Sequence, residues 1–378
     1  MKLSKGARAL LVLFYLVPLF GCGSGEGSLS PELEASLREI VEQKKAEFGI
    51  PGVMAGVWIP GEGELIIENG LSDIASGTPI QREDHFRIGS ITKSFTVTVI
   101  LQLAEEGRLS LSDPVEQYLP GIENGTATLA QLADMTSGIF NYTEDAGFVA
   151  EFVADFLRKW QAQELIDVAD SNAPYFPPGE NWHYSNTNTV ILGVIVEQVT
   201  GRPVGQEIQE RILNPLGLNG TLYPTGPDLP SPFVHGYGFD PLEDLSFADP
   251  SSSAGSGAMI STLDDLRKWG EGLGTGATLS PATFSQRLDS LRPIVFSPCA
   301  DNDPQRPKRE CPEYDRYGQG MGELNGWIGH TGEFVGYTML VMYEPNRGSV
   351  VVILANIFGV GEHVPTKIFR EFAAILPQ

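Results

Sequence analysis

Two pairs of apolar, β-branched runs stand at opposite ends of this 378-residue chain, and helical segments dominate between them from Ile91 to about Gly272. Near the N-terminus, Gly52–Trp58 and Glu64–Asn69 flank the turn sequence Pro60-Gly61-Glu62-Gly63. Near the C-terminus, Tyr337–Tyr343 and Ser349–Asn356 flank Pro345-Asn346-Arg347-Gly348 in the same way, as two hairpins would. Strands that far apart in sequence bury their faces most simply by meeting in one sheet. The expected architecture is α/β (α+β): a mostly antiparallel sheet from both chain ends, flanked by helices, with a helical subdomain inserted. Leu33, Leu37, Ile40 and Val41 give Pro31–Phe48 helical spacing, and a closing helix is expected at about Thr366–Leu376. The predicted domain is 31–378, with its α/β part at about 31–98 and 290–378 and its helical part at about 99–289. The chain is long enough for a substantial core.

Three short motifs lie along this frame: Ser90-Ile91-Thr92-Lys93, Tyr184-Ser185-Asn186 and His330-Thr331-Gly332. Phe86-Arg87-Ile88-Gly89 leads into the first, and a β-branched apolar run follows it toward Gly107, so Ser90 is expected at a helix N-terminus. Residues three apart on a helix lie one above the other, which brings the Lys93 amine to the Ser90 hydroxyl. A serine needs its proton removed before it attacks, and a buried amine loses charge readily enough to remove it. An N-capping serine beside a solvated lysine has the same spacing. In the second motif a tyrosine can relay a proton and an asparagine can hold Lys93. A loop tyrosine ahead of the helix Val190–Val199 reads the same way. In the third, an edge strand beside a nucleophile can supply a backbone N–H to an oxyanion, or be an ordinary strand start.

In this order and at these separations, the chain resembles the serine β-lactamase and penicillin-recognising D,D-peptidase superfamily. It is similar more narrowly to the branch of class C β-lactamases, D-alanyl-D-alanine carboxypeptidases and related esterases. Leu109-Ser110-Leu111-Ser112-Asp113-Pro114-Val115, Thr136-Ser137-Gly138, Pro215-Leu216-Gly217-Leu218 and Ser253-Ala254-Gly255 extend the likeness over nearly the whole chain beyond the N-terminal segment. The resemblance implies that Ser90 attacks a carbonyl and that backbone N–H groups of Ser90 and Glu333 hold the oxyanion. It implies that Lys93 and Tyr184 share the proton transfers and that Asn186 orients. His330 would help hold Tyr184 and the polar end of the substrate, with Thr331, Gly332 and Glu333 binding substrate. Such a site is a serine hydrolase acting on a small-molecule or peptide substrate, by resemblance a D-alanyl-D-alanine carboxypeptidase. An esterase for neutral acyl esters and a catalytically silent envelope protein are the alternatives.

Two departures bear on the substrate. Carboxypeptidase-like members place a basic residue near the third motif to grip a terminal carboxylate, whereas Tyr317–Ile328 has no Lys or Arg and Glu333 follows Gly332. Arg316 and Arg347 are the nearest candidates in sequence. Relatives carry a His before Thr-Ser-Gly where this chain has Met135, which is read as packing.

Lys2, Lys5 and Arg8 precede the apolar run Ala9–Phe20 and then Gly21-Cys22. Residues 1–21 are therefore expected to be a signal peptide, and Cys22 a lipidated residue after a lipobox-like ending. Residues 22–30 read as a flexible tether, giving an extracytoplasmic, lipid-anchored or secreted protein whose membrane contact is the anchor. Cys299 and Cys311 then remain as an even pair, expected to form a disulfide. Loss of the leader leaves 22 basic against 48 acidic residues, a formal charge of −26, which excludes nucleic acid as a partner. The five histidines are scattered and no phosphate-binding glycine loop is present, so no metal and no cofactor are expected.

Overall fold

The computed structural model describes residues 27–239, 242–294, 314–361 and 363–377. The expected leader, the expected lipidation site Cys22 and the expected Cys299–Cys311 disulfide lie outside the described residues. Among those described, nine strands form one sheet. They are β1 (Gly52–Ile59), β2 (Gly63–Asp73), β3 (Thr78–Pro79), β4 (Arg292–Pro293), β5 (Arg316–Gly318), β6 (Met321–Leu324), β7 (Trp327–Phe334), β8 (Tyr337–Tyr343) and β9 (Val350–Ala355). Their order is β3-β2-β1-β9-β8-β7-β6-β5-β4, with every neighbouring pair antiparallel. The junction of the two chain ends is the β1–β9 ladder, in register from Val53 opposite Ala355 to Trp58 opposite Val350.

The central strands are apolar on both faces because both faces are covered. Along β1, Val53, Ala55 and Val57 pack with α1 (Pro31–Phe48) and the closing helix, while Met54 and Trp58 point into the second core. This is the alternation expected of a strand, with period two, except that neither side is left to water. The second core is built around α2 (Thr92–Glu105), whose residues Thr92–Leu103 are all buried. A helix apolar on every side has to be central, and Phe95 of α2 stacks on Trp269 at 3.9 Å between ring centroids. Around it pack α3 (Asn186–Thr200) and α4 (Leu263–Thr275), and α5 (Val364–Ile375) closes the chain on the opposite face. None of the described helices is long and apolar enough to cross a membrane.

Packing and the sequence-based boundary differ at α4. It falls inside the predicted helical part, 99–289, yet it lies on the sheet. A Cβ at Gly270 would stand 2.9 Å from Val341 of β8, and one at Gly274 would overlap the Tyr343 ring. The sequence places a helical segment here but does not show which surface it meets. The end of the segment read as a tether is also already fixed. Gly27 accepts a hydrogen bond from the Glu64 N–H, Leu29 is buried, and Ser30 caps α1 through the Leu33 N–H. A buried leucine and an N-cap both hold the chain there, so any flexible stretch ends before Gly27.

Candidate active site

Phe86–Arg87 pairs with Ile260–Ser261 and delivers the chain to a single 3-10 turn, Gly89–Ile91, that runs directly into α2. Gly89 has a φ of +46°, and a Cβ there would lie 2.4 Å from the Glu333 carbonyl oxygen. Gly332 meets the same segment from the other side, since its Cβ would lie 2.3 Å from the Ile88 oxygen. Only glycine allows both the left-handed turn and so close an approach. These two positions put the Ser90 turn against the end of β7.

Ser90 is half-buried at the surface of this junction, and Lys93, in the first turn of α2, has no exposed surface. Lys93 Nζ contacts three oxygens: Ser90 Oγ at 2.8 Å, Asn186 Oδ1 at 2.6 Å and the Ser256 carbonyl at 2.9 Å. Burial away from water holds its pKa well below the ordinary lysine value. The partners explain what a neutral amine does here. Two of the oxygens are carbonyl oxygens that only accept, so they take both N–H bonds of a neutral amine. Its lone pair is left facing the Ser90 hydroxyl, which then donates to it.

The second motif closes this arrangement. Ser185 is the residue before α3 and Asn186 the first in it. The Asn186 N–H donates to Asn141 Oδ1 at 3.0 Å and its Nδ2 to Thr143 Oγ1 at 3.1 Å, which turns Oδ1 toward Lys93. Tyr184, half-buried, presents its ring face to Lys93, with Nζ 4.8 Å from the centroid. Met135 is fully buried and its sulfur accepts from the Ser185 N–H, so it packs beneath the motif.

The third motif lies within β7, and a turn at Val335-Gly336 separates it from β8. Strand β6 pairs with β7 only over Trp327–Gly329, so Thr331, Gly332 and Glu333 run past the end of that neighbour toward Ser90. Glu333 is half-buried at this mouth, with its backbone nitrogen 2.7 Å from where a Gly89 Cβ would be. Thr331 is buried. His330 departs from the expectation that it meets the substrate. It is fully buried, its Nε2 is 2.9 Å from the Tyr317 hydroxyl, and its Nδ1 lies 2.5 Å from the Thr331 carbonyl and 3.1 Å from the Tyr314 hydroxyl. Burial, with Lys93 nearby, pushes its pKa down to about 3. Its ring does approach Tyr184, at 6.5 Å between centroids.

The structure thus brings Ser90, Lys93, Tyr184 and Asn186 together and sets the Glu333 backbone beside them. It does not bring in the arginines. Arg316 is committed to Glu323 and the Leu291 carbonyl, and Arg347 to Glu62 at the far end of the sheet. Sequence reasoning did not single out Ser256, Thr143, Asn141, Tyr314 or Tyr317. Ser253-Ala254-Gly255, just ahead of Ser256, was the one pointer, while the others lie in stretches without a motif. Among the described residues no group of three or more His, Cys, Asp or Glu side chains is placed to hold a metal ion.

A serine held against a buried amine, at the seam of an antiparallel sheet and a helical region, defines a serine hydrolase of the β-lactamase fold. The profile of the Beta-lactamase family matches residues 37–374, and the chain belongs to that family. It is 26% identical over 306 residues to penicillin-binding protein 4* of Bacillus subtilis, covering 75% of this chain and 63% of that protein. The chain thus spans less than two thirds of the length of that relative. Esterase EstB of Burkholderia gladioli is 31% identical over 198 residues, 49% of this chain and 50% of that one. Among solved structures, a D-stereospecific amidohydrolase from Streptomyces superposes with a TM-score of 0.76 at 31% identity, covering 91% of this chain and 99% of its own. A penicillin-binding protein from Bacillus halodurans, at 20% identity and a TM-score of 0.71 over 89% of this chain and 99% of that one, shares the fold.

Proposed function

We propose that the protein hydrolyses an amide, peptide or ester bond of a D-amino-acid-derived substrate through an acyl-enzyme on Ser90. The observation that carries this reading is the 2.8 Å contact of Ser90 Oγ with a fully buried Lys93 Nζ whose other two partners are carbonyl oxygens. Lys93, neutral, takes the Ser90 proton as Oγ bonds to the substrate carbonyl carbon, and the oxyanion forms between the Ser90 and Glu333 N–H groups. Collapse breaks the bond to the leaving amine or alcohol, which takes up a proton by way of Lys93 and Tyr184. Water then attacks the ester and returns Ser90. Asn186 keeps the Lys93 amine aimed at Ser90 in each step.

The D-configuration is suggested by the 31% identity to the D-stereospecific amidohydrolase. A carboxypeptidase needs a cation for the terminal carboxylate, and Arg316 and Arg347 are both engaged elsewhere. That favours amides and esters over peptides with a free C-terminus. In this reading residues 1–21 act as a leader and the enzyme works outside the cytoplasm, lipid-anchored at Cys22 or secreted, with its acidic surface in solution.

Assay of residues 27–378 on D- and L-alanyl p-nitroanilide, D-phenylalaninamide, p-nitrophenyl acetate and a D-alanyl-D-alanine peptide tests the reading. Turnover of the D-amide ahead of both its L-partner and the peptide is expected. Selective cleavage of the free-carboxylate peptide would restore the carboxypeptidase, and turnover of the acetate alone would leave an esterase.

A further inference from the structure

We propose that Tyr314 and Tyr317 are positioning residues for acyl transfer, which through His330 and the Thr331 amide hold the end of β7 at the spacing Ser90 requires. This rests on the reading of Ser90 as the nucleophile. Past Gly329, β7 keeps its ladder to β8 as far as Phe334 but has left β6, so on that edge an oxyanion donor depends on side chains to hold its strand in place. The Thr331 N–H donates to the Tyr314 hydroxyl at 2.8 Å, so a side chain takes up this backbone donor.

The hydrogen bonds around His330 set its tautomer. The Thr331 carbonyl only accepts, so His330 Nδ1, 2.5 Å from it, carries the imidazole proton. Nε2 is then bare and accepts from the Tyr317 hydroxyl at 2.9 Å. Tyr314 accepts from the Thr331 N–H, and its hydroxyl lies 2.7 Å from Thr331 Oγ1, where either oxygen can donate. The opposite tautomer would set a bare Nδ1 against a carbonyl oxygen. A protonated imidazole would turn an N–H toward the Tyr317 hydroxyl and reverse that bond.

Tyr317 also stands edge-on to Tyr184, with centroids 6.1 Å apart and planes at 81°, and Trp182 packs against it at 5.9 Å. The same residue therefore sets both His330 and the ring over Lys93. The hydrogen bonds of Tyr317 and His330 run to each other, to Tyr314 and to the Thr331 carbonyl rather than to Ser90 or Lys93.

Tyrosine-to-phenylalanine changes keep the rings and remove only the hydroxyls. With the amide substrate, Tyr314→Phe is expected to lower kcat about tenfold or more and Tyr317→Phe about three- to tenfold, with KM changed less than threefold. In ¹⁵N spectra of histidine-labelled wild type, His330 should be protonated at Nδ1 and bare at Nε2 without titrating from pH 5 to 9, whatever the variants do. In Tyr317→Phe that single tautomer should give way to a mixture. Wild-type His330 protonated at Nε2, or kcat within twofold of wild type in both variants while Ser90→Ala is inactive, overturns the proposal. Activity persisting in Ser90→Ala overturns it by a separate route, since the nucleophile would then lie elsewhere.

Discussion

The two sides of the junction, α2 and β7, each bury a basic side chain completely, and they use it in opposite ways. On the α2 side, Lys93 gives two hydrogen bonds to carbonyl oxygens and turns its third position to Ser90. On the β7 side, His330 has both ring nitrogens taken by the Thr331 carbonyl and the two tyrosines. Burial disfavours the charged form of both. What differs is where the remaining valence points. A buried base becomes a catalyst when that valence meets the reactant, and a strut when protein groups take all of it. The comparison also explains why two motifs of equal weight in the sequence carry unequal weight in the proposed chemistry.

The widest split between the two sides comes from their deletion. Ser90→Ala should reduce hydrolysis by at least about 10³-fold, and Lys93→Met by about 10²–10⁴-fold, measured as kcat/KM on the D-amide. His330→Gln should cost far less. An equal loss in His330→Gln would erase the distinction. Next is Asn186→Ala, expected to cost about 10²-fold because it leaves a Lys93 N–H buried without its acceptor and frees the amine to turn away from Ser90. The Lys93 contact should reappear in the pH profile. With a pKa well below its ordinary value, kcat/KM rises with pH as the amine loses its proton, on a limb below 10.5. Absence of any acid limb would remove Lys93 as the base.

Smaller effects appear in stability. Both groups have folded pKa values below their unfolded ones, so in the window between the two values the unfolded chain binds the proton that the native protein refuses. Stability therefore rises with pH across that window and falls as pH is lowered through it. For His330 the window runs from about 6.5 down to about 3. Urea melts of wild type should lose stability over this range more steeply than those of His330→Gln. Identical slopes would mean that His330 is charged or exposed in the native protein.

How much of this was legible in the sequence depends on whether the information is local. The helix Pro31–Phe48 and the hairpin of β1 and β2 were readable because caps, turns and periodicity are short-range signals. The grouping of Ser90, Lys93, Tyr184 and Asn186 was readable because the proposed chemistry needs those side chains together. The Ser256 carbonyl gave no signal, since a backbone oxygen can come from any residue. Tyr314 and Tyr317 were silent because their partner, His330, is 16 and 13 residues away. Nothing in the motif His-Thr-Gly distinguishes a histidine facing substrate from one sealed behind tyrosines. Likewise, the small face of Gly270 and Gly274 on α4 reads as a helix end until the sheet beneath it is seen.

The most direct test of the Ser90–Lys93 pair is intact-mass spectrometry of the protein after brief incubation with a penicillin-type acyl donor, beside Ser90→Ala and Lys93→Met. A single covalent adduct on Ser90 in the wild type, absent from Ser90→Ala and formed far more slowly in Lys93→Met, is the expected result. An adduct that survives in Ser90→Ala, or forms at the wild-type rate in Lys93→Met, would contradict the assignment of the nucleophile or of its base.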